Sequence, residues 1–201
     1  LDFKSMYPSI MISNNICHTT RVDASYESSE VNQSPSGTKF LKKSVREGLV
    51  PRLLEDLMTQ RDEHKSLMKQ ARHEENKAME LFHHQMQSAV KILMNTFYGV
   101  FASAFYRFTH PDIGSAITAW ARSNIKKIIH ALEEEGHPVV YSDTDSIFVS
   151  VKSLEKTPTK YEDPLSNEWL ESVNSLYEFG RDLAGRFTKE GAELEFEKGL
   201  S

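Results

Sequence analysis

The chain has one cysteine, Cys17, which excludes an internal disulfide. A lone thiol in 201 residues fits a reducing, cytoplasmic setting. Long apolar runs are also missing. None reaches the ~18 residues that a membrane helix needs, so no membrane partner is expected. The opening LDFKSMYPSI has Asp2 and Lys4 where a secretory leader would carry a basic start and an apolar run. No block is low in complexity, and no internal repeat is visible. Basic charge is in short supply too: 24 Lys and Arg against 29 Asp and Glu leave a net charge of −5. Taken alone, that balance argues mildly against a nucleic-acid partner. Its distribution argues otherwise. From Lys39 to Lys77 there are ten basic residues against seven acidic ones, and the acidic excess lies downstream. A basic arm on an acidic body suits the gripping of an anion at one place.

What is present is enough for one globular domain, or one domain with a protruding subdomain: 39% of residues are hydrophobic. Leu1-Asp2-Phe3 reads as the end of a strand, and Pro8 lies in the first turn of a helix through SIMISNN. Residues 18–40 read as a polar loop with a turn at SPSGT. Pro51 starts a long amphipathic helix with Leu53, Leu54, Leu57, Met58, Leu67 and Met68 on its apolar side. After the polar RHEENK the pattern resumes with Met79, Phe82, Met86, Val90, Leu93, Met94 and Phe97. Two such helices with a short link predict an antiparallel helical hairpin, and Gly99 interrupts or ends the second. Pro111 opens another helix, with Gly136 as its stop. PVVYS and SIFVSV around DTD predict a β-hairpin whose strands Val139, Val140, Tyr141, Ile147, Phe148 and Val149 bury. A loop over 153–164, a helix over about 166–190 despite Gly180 and Gly185, and an alternating AELEFEK strand complete the chain. The fold class is α+β, an antiparallel sheet backed by helices with a helical hairpin standing off.

Three stretches carry chemistry. In YSDTDS, Asp143 and Asp145 are one residue apart at the rim of a sheet. Like charges there cost stability unless a cation joins them, although an ordinary Asp turn is the plainer alternative. Hard oxygen ligands on a small turn suit Mg²⁺ or Mn²⁺. Asp2 would add a third carboxylate if its strand pairs beside the hairpin, and three acids can hold two metals about 3.5–4 Å apart for phosphoryl transfer. The turn into the helix at Pro8 offers the N–H groups of Ser5, Met6 and Tyr7 as an anion seat. In KILMNTFYG, Lys91, Asn95 and Tyr98 share a helix face, as do Arg61 and Lys65 in QRDEHK. An antiparallel hairpin would let Arg61, Lys65 and Lys91 converge on a triphosphate; a solvated basic face is the plainer alternative.

In this order and at these spacings, DFKSMYPSI, KILMNTFYG and YSDTDS resemble motifs A, B and C of family B DNA polymerases, in the archaeal or bacterial type. The resemblance spans the whole chain. It implies a polymerase palm in residues 1–47 and 104–201, fingers in 48–103, and N-terminal, exonuclease and thumb domains lying outside this sequence. It implies template-directed DNA synthesis with two Mg²⁺ ions, for which Mn²⁺ can substitute, with primer-template DNA and dNTP as partners. A sliding clamp would engage through parts of the parent enzyme absent here. Asp2 and Asp145 would bridge the metals, the Phe3 carbonyl would add a ligand and Asp143 would stand close by. Ser5, Met6 and Tyr7 would present backbone N–H groups to the triphosphate, with Tyr7 also the gate against a 2′-OH. Arg61, Lys91, Asn95 and Lys65 would contact phosphates, and Tyr98 with Gly99 would form the floor under the nascent pair. Glu195 or Glu197 would supply a further acid. Ser142, Met6 and Thr96 depart from the commonest family residues without removing a ligand or a charge. The 201 residues alone are expected to extend primers feebly, since duplex grip comes largely from phosphate contacts elsewhere.

Two rivals stay open: another two-metal palm enzyme such as a nucleotidyl cyclase, and a non-catalytic nucleic-acid-binding relative. Other features read blandly. Adjacent His83 and His84 point about 100° apart on a helix and do not make a zinc site. Met58, Met68, Met79, Met86 and Met94 are expected in the hairpin core, and Trp120 in buried packing; Trp169 fits either role. Cys17 has no neighbours that mark a nucleophile.

Overall fold

A computed structural model describes residues 1–107, 109–150, 166–188 and 193–199. The expected loop at 153–164 therefore falls outside the described residues, as do the last residues of the expected 166–190 helix and the Ala192 start of the final strand. The chain divides into two compact units, Leu1–Met6 with Arg122–Ser201, and Tyr7–Ala121.

The first unit is built on a four-stranded antiparallel sheet. β1 (Asp2–Phe3) lies between β6 (Ser146–Val149) and β7 (Leu194–Glu195), and β5 (Val139–Asp143) pairs with β6, giving the order β5-β6-β1-β7. Strand alternation assigns the faces. Phe3, Ile147 and Leu194 are buried, with Leu176, Leu183 and Phe187 of the helix α5 (Asn167–Phe187) in the same core. Val140, Tyr141 and Phe148, expected to bury the hairpin, are instead 69%, 58% and 38% exposed. Tyr141 and Phe148 are register partners on the face shared with Asp2 and Ser146, away from Phe3 and Ile147, while Val140 sits at the irregularity between Val139 and Tyr141 on the edge strand β5.

Gly180 and Gly185 do not break α5. A Cβ at Gly180 would fall 2.2 Å from the Phe196 ring, so the glycine lets the chain beyond β7 lie against the helix. Gly180→Ala should thus destabilise this unit by about 1–3 kcal/mol through overpacking, although alanine alone would favour the helix by about 1 kcal/mol. Chemical denaturation checks the sign; a gain in stability would refute the close packing.

In the second unit, α1 (Met6–Ser13) leads into a small sheet of order β2-β4-β3, made of Arg21–Val22, Lys39–Leu41 and Val31–Gln33. The polar loop expected at 18–40 is therefore partly strand. The strands are two or three residues long, too short for a hydrophobic period, and Phe40 alone anchors them fully, beside Trp120 at 5.9 Å. Trp120 itself is half-buried. The hairpin consists of α2 (Leu49–His73) and α3 (Lys77–Ala102). Glu75 at φ +56 ends α2, and the Asn76 side chain caps α3 by accepting from the Met79 N–H at 3.2 Å. α3 runs through Gly99 without a break, contrary to expectation. Of the five methionines expected in its core, only Met94 is buried; Met79 and Met86 are exposed and Met58 and Met68 half-buried. Two helices alone have one shared seam, and the apolar stripe here is wider than that seam.

α4 (Pro111–Glu134) opens at Pro111 as expected and stops at Gly136, whose φ of +82 lets His137 N–H return to the Leu132 carbonyl at 2.9 Å. Among the described residues no helix is long and apolar enough to cross a membrane.

The N-cap of α2 is Gly48, which has no side chain to cap with. Cys17 lies against this turn, where a Cβ at Gly48 would fall 2.9 Å from Cys17 Cβ. Burial alone would push its thiol up, but hydrogen bonds from the Thr19 hydroxyl and from the N–H groups of Val50, Thr19 and Leu49 outweigh it and hold the thiol below its ordinary value of 9.0. As pH rises through the folded value, the native state sheds a proton that the unfolded chain keeps. The stability contributed by Cys17 therefore grows with pH and is complete above 9.0. The melting-temperature deficit of Cys17→Ala should widen between neutral pH and about pH 9; a deficit independent of pH would exclude thiolate capping.

Candidate functional site

Sheet register brings the acids of distant segments together. Asp2 pairs with Ser146 on one side and with Glu195 on the other, and Ser146 pairs with Asp143. Directly opposed residues on antiparallel strands share a face. Asp143, Ser146, Asp2 and Glu195 thus form one row across four strands, on the face away from Phe3, Ile147 and Leu194. Strand spacing puts neighbours in the row about 4.8 Å apart. Asp145 lies in the two-residue turn, with Thr144 at φ +46. Its carbonyl accepts the Phe3 N–H at 2.8 Å, so residue 145 stands beside the end of β1. Asp2 is therefore next to the hairpin tip, as the sequence argument requires.

The side chains are oriented. Ser146 Oγ donates to Asp2 Oδ1 at 3.0 Å, and Thr144 Oγ1 donates to Asp143 Oδ1 at 3.2 Å. Asp143 is exposed and Asp2 and Asp145 are half-buried, so water screens their repulsion. The acids do not sit in a buried hairpin, and their cost to stability is correspondingly smaller than the sequence implies. Every donor here is oxygen, which fits a hard divalent cation and not a thiophilic one. Among the described residues no three His, Cys, Asp or Glu side chains already close on one point as a metal cage.

Glu195 or Glu197 was an open choice in the sequence. The register puts Glu195 directly opposite Asp2, while Glu197 lies beyond the end of β7. Ser146, which holds Asp2, was not singled out by sequence reasoning; its only signal is its place directly after DTD.

In the second unit, Tyr7 and Tyr98 stack with ring centroids 4.3 Å apart and planes 23° from parallel. Ser5, at φ +47, precedes the first turn of α1, where Met6 is buried and Tyr7 half-buried. A Cβ at Gly99 would meet nothing within 4 Å, so the surface beside Tyr98 is open. Lys91 and Asn95 are exposed on α3; Arg61 and Lys65 are half-buried on α2. The hairpin's register is read from His64 and His83, whose Nδ1 atoms are 3.0 Å apart. With 64 opposite 83, Lys91 stands level with Asp56, five residues or about 7.5 Å of helix rise from Arg61. The cations share the hairpin without closing into one tight cluster. His83 Nδ1 lies 3.0 Å from His64 Nδ1, and His84 is exposed.

The family model of DNA polymerase family B matches residues 1–178. The chain belongs to this family. Among the relatives of this family B chain, the DNA polymerase delta catalytic subunit of Glycine max is 32% identical over 215 residues, 98% of this chain and 18% of that protein. The DNA polymerase of Thermococcus gorgonarius is 33% identical over 177 residues, 87% of this chain and 22% of that protein. The structure of the family B DNA polymerase from the hyperthermophilic archaeon Pyrobaculum calidifontis covers 98% of this chain at a TM-score of 0.66 and 24% identity, a likeness of fold. It is matched over 23% of its own length. The chain spans roughly a fifth of the length of these family B relatives.

Proposed function

We propose that this chain carries the nucleotidyl-transfer centre of a template-directed DNA polymerase, with residues 1–47 and 104–201 as palm and 48–103 as fingers. One observation carries the reading: acids from three separate segments stand in one row on one sheet face, with Asp145 beside them. Asp2 and Asp145 would hold two Mg²⁺ ions, or Mn²⁺ in their place, with the Phe3 carbonyl as a further ligand and Asp143 and Glu195 close by. Bound there, such ions supply Lewis-acid stabilisation of charge on the attacking and leaving oxygens.

The remaining work belongs to the chain. Ser146 fixes Asp2 in orientation, so little reorganisation is left for the moment of reaction. Ser5, Met6 and Tyr7 present backbone N–H groups to the triphosphate of a dNTP. Arg61, with its planar fork, and Lys91 and Lys65, as point charges, neutralise phosphate oxygens, and Asn95 donates to them. The Tyr7 ring, fixed by Tyr98, occupies the space a 2′-OH would need. Tyr98 and Gly99 form the floor on which the nascent pair is judged by shape, while template pairing selects the base. Movement of the hairpin on a correct pair would commit the substrate, an induced-fit step. Primer-template DNA and dNTP are the partners, and a sliding clamp would bind through parts of the polypeptide outside this chain.

The test is primer extension by the polypeptide that carries this chain, with all four dNTPs and a defined template. Extension that follows the template and needs Mg²⁺ or Mn²⁺ is the expected result. Cyclic nucleotide made without template would replace the reading with a cyclase, and binding without incorporation would replace it with a non-catalytic relative.

A further inference from the structure

Asn15 is 1% exposed and sits where two helices meet. It ends α1: its φ is +53, its N–H returns to the Ile12 carbonyl at 3.1 Å, and the Ile16 N–H reaches the Met11 carbonyl at 2.9 Å. This is the left-handed stop that asparagine tolerates. Its side chain does something else. Nδ2 donates to the carbonyls of Leu41 at 2.7 Å and Arg46 at 2.8 Å, and Oδ1 accepts the Gly48 N–H at 2.9 Å. All of the amide's hydrogen-bonding roles converge on the segment that delivers the chain into α2. The Thr20 hydroxyl braces the Asn15 carbonyl at 2.6 Å. Gly48 has no room for a side chain, since a Cβ would fall 2.9 Å from Cys17 Cβ and 3.0 Å from Asn15 Oδ1. With Cys17 packed against the same turn, the start of α2 is held by residues that follow directly on α1.

We propose that Asn15 is a positioning residue that ties the base of the α2–α3 hairpin to the end of α1, and so sets how Arg61, Lys65 and Lys91 meet a triphosphate. The inference rests on the reading of those cations as phosphate contacts. A long helix pivots about its first turn, so slack at Gly48 is magnified along the axis before it reaches Arg61, 13 residues or about 20 Å further on. Tyr7 lies in the first turn of α1 and Asn15 at its end. One rigid helix therefore links the residue proposed to exclude the 2′-OH with the anchor of the helix proposed to bind phosphate.

The experiment compares wild type, Asn15→Gly and Asn15→Asp in the full polypeptide. Glycine keeps the positive φ and deletes only the side-chain bonds; aspartate keeps the acceptor for Gly48 and loses both donors. In single-turnover incorporation, Asn15→Gly should raise the half-saturating dNTP concentration about fivefold or more, with the maximal rate within about twofold and primer-template affinity unchanged. Asn15→Asp should raise it further, because a buried carboxylate oxygen would face the Leu41 and Arg46 carbonyls with no donor between them. Hydrogen exchange should accelerate over residues 49–54 and not over 77–90. Phe40→Leu, a core substitution of the same unit, controls for simple loss of stability and should leave the dNTP dependence alone. A dNTP dependence no different from that control, or exchange accelerated equally in both segments, would overturn the proposal. Should the wild type copy no template, the functional reading fails, and the exchange pattern still decides whether Asn15 anchors α2.

Discussion

Asp145→Asn should abolish template-directed incorporation, by about 10³-fold or more, equivalent to roughly 4 kcal/mol of barrier. The substitution is nearly isosteric. It leaves the Asp145 carbonyl free to accept the Phe3 N–H, so the turn and the end of β1 keep their register. What it removes is one negative charge beside a row whose charges are supplied by Asp2, Asp143 and Glu195. An amide oxygen binds a hard divalent ion far less tightly than a carboxylate does. Fold stability should be unchanged or slightly raised, because one member of a like-charged group has been neutralised. Asp2→Asn should behave the same way, whereas Asp143→Asn should cost less, since residue 143 is exposed and two strands away from Asp2. Turnover, melting temperature and primer-template affinity measured together decide the matter. Loss of activity with loss of folding would make Asp145 structural, and retained activity would remove it from the reaction.

Tyr7→Ala should let the polypeptide incorporate ribonucleotides, raising the efficiency with rNTP relative to dNTP by about 10²-fold. The argument is steric. A hydroxyl is a small group, and an apolar pocket rejects it weakly by affinity alone. Strong rejection requires a wall that cannot yield. In the proposed reading the Tyr7 ring would be such a wall, because Tyr98 stacks on it at 4.3 Å, a contact that fixes the ring's plane. A second variant follows from the geometry. Tyr98→Phe retains the stack and should retain discrimination, while Tyr98→Ala frees the Tyr7 ring and should lose part of it. Efficiencies for matched dNTP and rNTP pairs on one template provide the measurement. Unchanged discrimination in Tyr7→Ala would place the gate elsewhere.

Much of this architecture is legible in the sequence, for identifiable reasons. The helices of 24–26 residues, α2, α3 and α4, carry prolines in their first turns or a period strong enough to read, and their stops at 74–76 and Gly136 are marked by polar or glycine residues. The DTD hairpin is marked by two apolar runs of strand length. The pairing of Asp2 with Ser146 is different. Nothing local specifies it, and it is inferred only because three motifs occur together. The small β2-β4-β3 sheet was missed because strands of two or three residues have no period to detect. The exposure of Tyr141 and Phe148 is not legible because composition reports how apolar a strand is and not which of its faces is covered, and that of Val140 because the irregularity beside it on the edge strand has no local signal. Asn15 gave a weak signal, an asparagine after a helix, which is ordinary as a stop; its three side-chain bonds to residues 41, 46 and 48 appear only once the chain has folded back on itself.

The acid row has a temporal consequence. β1 leaves the ribosome before either of its partners, which are residue 146 on one side and residues 194–195 on the other. Residues 7–121 form one contiguous unit whose contacts can be made while translation continues. β1 cannot be completed then, and its edges wait unpaired for strands not yet synthesised. Assembly of the acidic row is thereby postponed until residues 194–195 have emerged, so a nascent product lacking them carries the whole α2–α3 hairpin and an unfinished sheet.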